Sequence, residues 1–76
     1  MNSRRRNLVL CLRNDGYEAS LERHKIYSAL PDREATKHGQ IRVIDEYGED
    51  YLYPARFFAP ISLPRTLRRA VLTASS

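Results

Sequence analysis

The chain has 76 residues and a mass of 8.8 kDa, which is room for one small domain. A charged fraction of 29% and a hydrophobic fraction of 42% exclude a disordered, fibrous or membrane-spanning composition. The net charge of +4 is uneven: six arginines (Arg4, Arg5, Arg6, Arg65, Arg68 and Arg69) lie in tails that hold no acid, which leaves 7 basic against 9 acidic side chains between Asn7 and Leu63, a body near −2.

Residues 1–6 are polar and basic and read as a mobile arm. Ser3-Arg4-Arg5-Arg6 before Leu8-Val9-Leu10-Cys11-Leu12 faintly resembles a secretion signal. The apolar run ends at Arg13, short of the roughly 7–15 residues a signal core needs. No stretch approaches the ~20 apolar residues of a membrane span. The expectation is therefore a cytoplasmic protein without membrane contact. The run suits a short buried strand instead, with Cys11 as a small core residue. A lone cysteine forms no internal disulfide, and no Cys, His or carboxylate group has zinc spacing.

Asn14-Asp15-Gly16 marks a turn. Tyr17-Glu18-Ala19-Ser20-Leu21-Glu22 has no clear period and reads as a structured loop or an irregular strand. Lys25 to Leu30 alternates as a strand, with Ile26, Ser28 and Leu30 on one face. Pro31 to Gly39 reads as one or two helical turns. Asp32 caps the start, Lys37 and His38 sit at the negative end of the dipole, and Gly39 ends the turn in the left-handed region. Ile41 to Glu46 is the next strand, Tyr47-Gly48 a hairpin turn, and Glu49 to Tyr53 the returning strand. Pro54 interrupts the ladder. Ala55 to Phe58 suits a 3₁₀ turn and Ala59 to Leu63 a last strand. Beyond Pro64, Leu67, Ala70, Val71 and Ala74 fall at helical spacing. The division is a basic flexible arm over 1–7, a β domain over 8–63 and a basic tail over 64–76, either helical or disordered.

Short strands at regular spacing with turns between them predict an all-β fold, a small five-stranded barrel. From Ile41 to Ile61 the chain also resembles the second half of a Src-homology-3 domain. The shared features are a distal hairpin with a glycine-acidic tip, a tyrosine and a proline (Tyr53-Pro54), a 3₁₀ turn, an aromatic and a final strand. The order of strand, long loop, strand, variable loop, hairpin, 3₁₀ turn and strand extends this over about residues 8–63. The chain has no tryptophan, and Leu12-Arg13-Asn14-Asp15-Gly16-Tyr17 stands where those domains carry Ala-Leu-Tyr-Asp-Tyr. As a whole it looks more like small bacterial proteins built on this type of barrel. The resemblance implies a Src-homology-3-like fold and a groove between the long loop and the 3₁₀ turn, and it implies no activity.

The candidate binding surface is accordingly Tyr17, Tyr51, Tyr53, Pro54 and Phe57. If Leu52 points inward, alternation puts Tyr51 and Tyr53 together on the outside, where flat rings with polar tips suit a peptide or a base. The competing reading is that these rings cover the core, and at least one of Phe57 and Phe58 is expected there. Asp45, Glu46, Glu49 and Asp50 at the hairpin tip match no calcium loop. They read as a solvated edge, or as a surface for a basic partner or the protein's own arginines. A Cys11–His24 nucleophilic pair has no orienting third group, and with three glycines in all no phosphate-cradling loop is present. The functional expectation is a non-catalytic module without cofactor or metal that binds a protein or peptide. The alternatives are nucleic-acid binding through Arg4, Arg5, Arg6, Arg65, Arg68 and Arg69, which the acidic body disfavours, and an accessory subunit docked through Leu67 and Val71.

Overall fold

The computed structural model describes residues 7–62. Its elements in chain order are β1 (Asn7–Cys11), β2 (Ile26–Leu30), α1 (Arg33–Lys37), β3 (Gln40–Ile44), β4 (Asp50–Pro54), a 3₁₀ turn (Ala55–Phe57) and β5 (Phe58–Ile61). The five strands form one antiparallel sheet in the order β4-β3-β2-β1-β5. Among the described residues no helix is long and apolar enough to cross a membrane. The expected helical reading of the tail, and the arginines at 4–6, 65, 68 and 69, lie outside the described residues.

β4 and β5 are the two edges of this sheet, yet only the 3₁₀ turn separates them in sequence. In a flat sheet they would stand roughly 19 Å apart, at ~4.8 Å per strand. A three-residue 3₁₀ turn rises only about 6 Å. The sheet therefore coils strongly, and the turn is stitched at both sides of the coil. The amide of Ala55 donates to Gly39 O (2.9 Å) and that of Leu12 to Phe57 O (2.7 Å).

Coiling sorts the side chains by register. Val9, Cys11, Tyr27, Ala29, Val43, Tyr53 and Phe58 fill the concave face with Phe57 from the turn and Leu21 from the β1–β2 loop. Cys11 is fully buried, as expected, and both phenylalanines are core residues. The opposite register puts Leu8, Leu10, Ile26, Ser28, Leu30, Ile44, Leu52, Ala59 and Ile61 on the convex face. The expectation for Leu52 is thus corrected: it lies half-buried on the convex side, and the tyrosines flanking it point toward the core face.

The connections follow local chemistry. Asp32 accepts the Ala35 amide (2.9 Å) and starts α1, while Arg42 Nε donates to the same carboxylate at 2.7 Å and ties the cap to β3. Those contacts hold the Asp32 carboxyl below its ordinary range. At the β3–β4 hairpin the Gly48 amide donates to Asp45 O (2.9 Å), and Gly48 follows at φ 76°. This is a type I turn closed by a left-handed residue, a conformation that only glycine adopts without strain. The β1–β2 loop is ordered rather than stranded. Tyr17 and Leu21 amides bond back within it, and Asn14 Nδ2 donates across it to Leu21 O at 3.0 Å.

Leu21 closes the core although it belongs to a loop, whereas Leu12 at the end of β1 is 41% exposed. Leu21→Ala should therefore lower the unfolding free energy by about 2–4 kcal/mol, as a core truncation does. Leu12→Ala should cost less than about 1 kcal/mol. Urea titrations followed by circular dichroism distinguish the two, and equal effects would mean the loop does not complete the core.

Candidate functional site

Four of the five sequence-selected residues meet at one place. Tyr17 stands edge-on to Tyr53 with ring centroids 4.9 Å apart, 6.1 Å from Phe57 and 6.3 Å from Tyr51; Tyr51 and Tyr53 are 5.1 Å apart. Such edge-to-face pairs add roughly 0.5–1.5 kcal/mol each beyond area burial. The rings differ in depth. Tyr53 is 1% exposed and Phe57 3%, Tyr17 is half-buried, and Tyr51 is 54% exposed. The expectation that Tyr51 and Tyr53 both lie outside is therefore overturned for Tyr53, and Phe57 belongs to the floor of the patch rather than its surface. Pro54 falls on the other side of β4 from Tyr53, half-buried and paired in register with Gln40. It does not join the aromatic cluster.

Tyr53 is held by both ends. Its ring lies in the core, and its hydroxyl is 2.9 Å from Asp45 Oδ2 and 2.9 Å from Ser20 Oγ. The carboxylate only accepts, so the phenol proton points to Asp45 and Ser20 donates in turn. Burial pushes the phenol up to about 12; the Ser20 bond opposes this and the Asp45 carboxylate adds to it. Tyr27 has a parallel arrangement. Its hydroxyl donates to Glu46 Oε2 (2.5 Å) and accepts the Glu22 amide (2.7 Å), while Lys25 Nζ approaches the same carboxylate at 2.7 Å. Burial, then Glu46, raises this phenol still further. Hydrogen bonds from Lys25 and then Tyr27 lower the Glu46 carboxyl.

Three of the four hairpin acids have specific partners. Asp45 anchors Tyr53 and caps the amides of Tyr47 (2.9 Å) and Glu49 (3.3 Å), Glu46 anchors Tyr27, and Asp50 lies 3.6 Å from Arg42. Among the described residues no three His, Cys, Asp or Glu side chains form a group that could hold a metal. Cys11 donates its thiol proton to Arg13 O (3.2 Å), and burial raises the thiol, whereas His24 is solvent-exposed at φ 69° and bonded to Cys11 only through its backbone amide. These contacts serve the loop.

Two arginines at the site escape sequence reasoning. Arg13 and Arg56 place their guanidinium carbons 5.5 and 5.4 Å from the Phe57 ring centre, within reach of the ring's negative face. They lie 43 positions apart in sequence, and no local pattern joins them. Arg13 is also paired with Asp15. The outer layer of the site is thus Tyr17 and Tyr51 beside Arg13 and Arg56, over a floor of Tyr53 and Phe57. It can offer ring faces, phenolic hydroxyls and a guanidinium to an extended ligand. No protein-family model matches the chain, and none of the curated proteins or solved structures compared with it matches either.

The buried phenols set an alkaline limit. Their folded-state values lie above the ordinary 10.0, so the neutral form is favoured by folding. That contribution is complete below pH 10 and is lost as pH rises toward about 12. Glu46 and Asp32 act oppositely: they are depressed from 4.5 and 3.8, and their contribution is lost as pH falls through those lowered values. Urea midpoints measured against pH should fall at both ends. Tyr53→Phe should cost about 1–2 kcal/mol at pH 7, because Asp45 and Ser20 lose a buried partner, and should flatten the alkaline limb. An unchanged limb would show that Tyr53 ionises without unfolding.

Proposed function

We propose that the protein is a non-catalytic binding module that holds an extended protein segment across Tyr17 and Tyr51, with Arg56 receiving an acidic side chain beside it. The observation that carries this is the coexistence of depths in one aromatic cluster. Tyr53 and Phe57 have the packing they need, and Tyr51 remains 54% exposed on top of them. A ring so exposed contributes little to the core. Beside Tyr17, 6.3 Å away, it presents a ring face and a phenolic hydroxyl to solvent, as aromatic residues at recognition surfaces do.

The fold proposed for this module is a Src-homology-3-like barrel. Three features support it: the strand order β4-β3-β2-β1-β5, the long loop between β1 and β2, and the 3₁₀ turn that leads into a strand paired with β1. In that resemblance the groove lies between the long loop and the 3₁₀ turn, and here Tyr17 comes from the loop and Phe57 from the turn. The described body carries 7 basic and 9 acidic side chains, which favours a protein ligand over a nucleic acid.

Selection of a displayed random-peptide library on the immobilised protein tests the reading. Selected peptides should be extended, carry an acidic residue near an apolar or proline residue, and perturb the amide signals of Tyr17, Tyr51 and Arg56 in ¹⁵N spectra. Tyr51→Ala should weaken them at least about 10-fold, a hot-spot loss of ~1.4 kcal/mol or more, with an unchanged circular dichroism spectrum. Equal affinity in the variant, or perturbations confined elsewhere, would remove the proposal. A salt-sensitive affinity for single-stranded RNA that survives Tyr51→Ala would favour the nucleic-acid alternative.

A further inference from the structure

The two edges of the sheet are not equivalent. In an antiparallel ladder, residues bonded to the partner strand alternate with residues whose amide and carbonyl point away from it. On β4 the alternation is fixed at both ends, because the Asp45 amide donates to Glu49 O and the Ala55 amide to Gly39 O. In the same register Tyr51 and Tyr53 bond to Val43 and Ile41, and Asp50, Leu52 and Pro54 turn their main-chain groups outward. On β5 the Leu12 amide donates to Phe57 O, so Ala59 and Ile61 bond to Leu10 and Leu8, and Phe58 and Pro60 face outward. The Phe58 amide is already used on Ala55 O, and a proline has no amide proton. The outer edge of β5 thus presents carbonyls only. The outer edge of β4 presents the amides and carbonyls of Asp50 and Leu52 and the carbonyl of Pro54, which have no backbone partner among the described residues. Asp50 and Tyr51 are exposed and Leu52 is half-buried. An edge in this state is a template for another strand.

We propose that the strand this edge accepts is β4 of a second copy of the chain, antiparallel to the first about a two-fold axis at Leu52. A two-fold interface must be complementary to itself, and this edge is so in hydrogen bonding, in polarity and in charge. Leu52 faces Leu52 of the second copy, apolar against apolar, and the two exchange both main-chain bonds. Each Asp50 amide faces the Pro54 carbonyl of the second copy, so the proton that proline lacks removes one bond on each side and leaves the others. By alternation Glu49 lies on the Tyr51 face of the strand. In this register it stands opposite Ala55 of the second copy, next to Arg56. Glu49 is the hairpin acid, and Arg56 the arginine of the aromatic site, whose side chain forms no ion pair among the described residues, and both are exposed. The axis brings each to its opposite charge on the second copy, and opposite charges across neighbouring strands are favourable. Centring the axis on Tyr51 instead would set Leu52 against the Asp50 carboxylate of the second copy. The pairing uses the main chain of β4 and does not depend on what the Tyr17–Tyr51 surface binds.

Sedimentation equilibrium and amide exchange of the full chain test the proposal. The weight-average mass should rise with concentration from 8.8 kDa toward twice that value. The Leu52 amide should exchange more slowly as it does so, by about 10-fold or more between the dilute and the associated protein. Arg56→Glu and Glu49→Lys should each weaken self-association by about 10-fold or more, because each variant opposes like charges to itself. An equimolar mixture of the two should associate as the unaltered chain does, since every such contact in the mixed pair joins opposite charges. A variant that had merely lost its fold would not be rescued in this way. A chain that stays at its monomer mass up to about 1 mM would overturn the proposal. So would a dimer in which exchange at Leu52 ignores concentration, or variants that fail to associate when mixed, because the interface would then lie elsewhere than on β4.

Discussion

Everything in this molecule follows from the shortness of one connection. The 3₁₀ turn Ala55–Phe57 passes the chain from one edge of the sheet, β4, to the other, β5. Three residues cannot cross a flat five-stranded sheet, so the sheet coils until the edges meet the turn. Coiling creates a concave side narrow enough for a few large side chains to fill. It also brings the β1–β2 loop, the turn and β4 to one place, and the aromatic cluster is assembled there. The amides of Leu12 and Ala55 bond the turn to the end of β1 and to the residue that follows α1, Gly39.

Within that coil the same side chain serves opposite ends. Tyr27 and Tyr53 are buried, and each meets the cost of burying a hydroxyl by giving its proton to a hairpin carboxylate, Glu46 or Asp45. The two acids lie on adjacent residues of one turn and reach two different strands. Through them the hairpin is locked to β2 and β4, and through Ser20 and the Glu46 amide it is locked to the long loop as well. Tyr51 needs no such partner, being two residues from Tyr53 on the same face but beyond the rim of the coil.

Much of this was legible in the sequence. The five strands, the capped turn before Gly39, the hairpin at Gly48 and the 3₁₀ turn all announce themselves through short-range chemistry: alternation, a capping aspartate, a glycine, a proline. What alternation does not reveal is which of two apolar registers faces inward. Tyr51 and Tyr53 compete with Leu52 for the core, and hydrophobicity alone favours the leucine. The tyrosine prevails because coiling leaves depth for a large ring and because Asp45, eight residues earlier, supplies an acceptor for its hydroxyl. That partner is set by the hairpin's register, which no single-residue pattern encodes. Arg13 and Arg56 were illegible for the same reason, since only the coil brings the end of β1 against the 3₁₀ turn.

The convex face shows what a chain of this size must resolve. With both registers of β1, β2 and β3 largely apolar, covering only the concave side would leave Leu8, Leu10, Ile26, Leu30 and Ile44 on one continuous water-facing surface. Such a patch on a small protein is an adhesive one. A coiled sheet cannot hide it by closing further, because coiling opens the convex side as it tightens the concave one. Ser28 and the salt bridge of Arg42 to Asp32 place the polar groups of this face on β2 and β3. The geometry that builds a recessed aromatic surface on one side of the sheet thus leaves, on the other, half-buried apolar side chains, Leu10, Ile26, Leu30 and Ile44, that the concave core does not use.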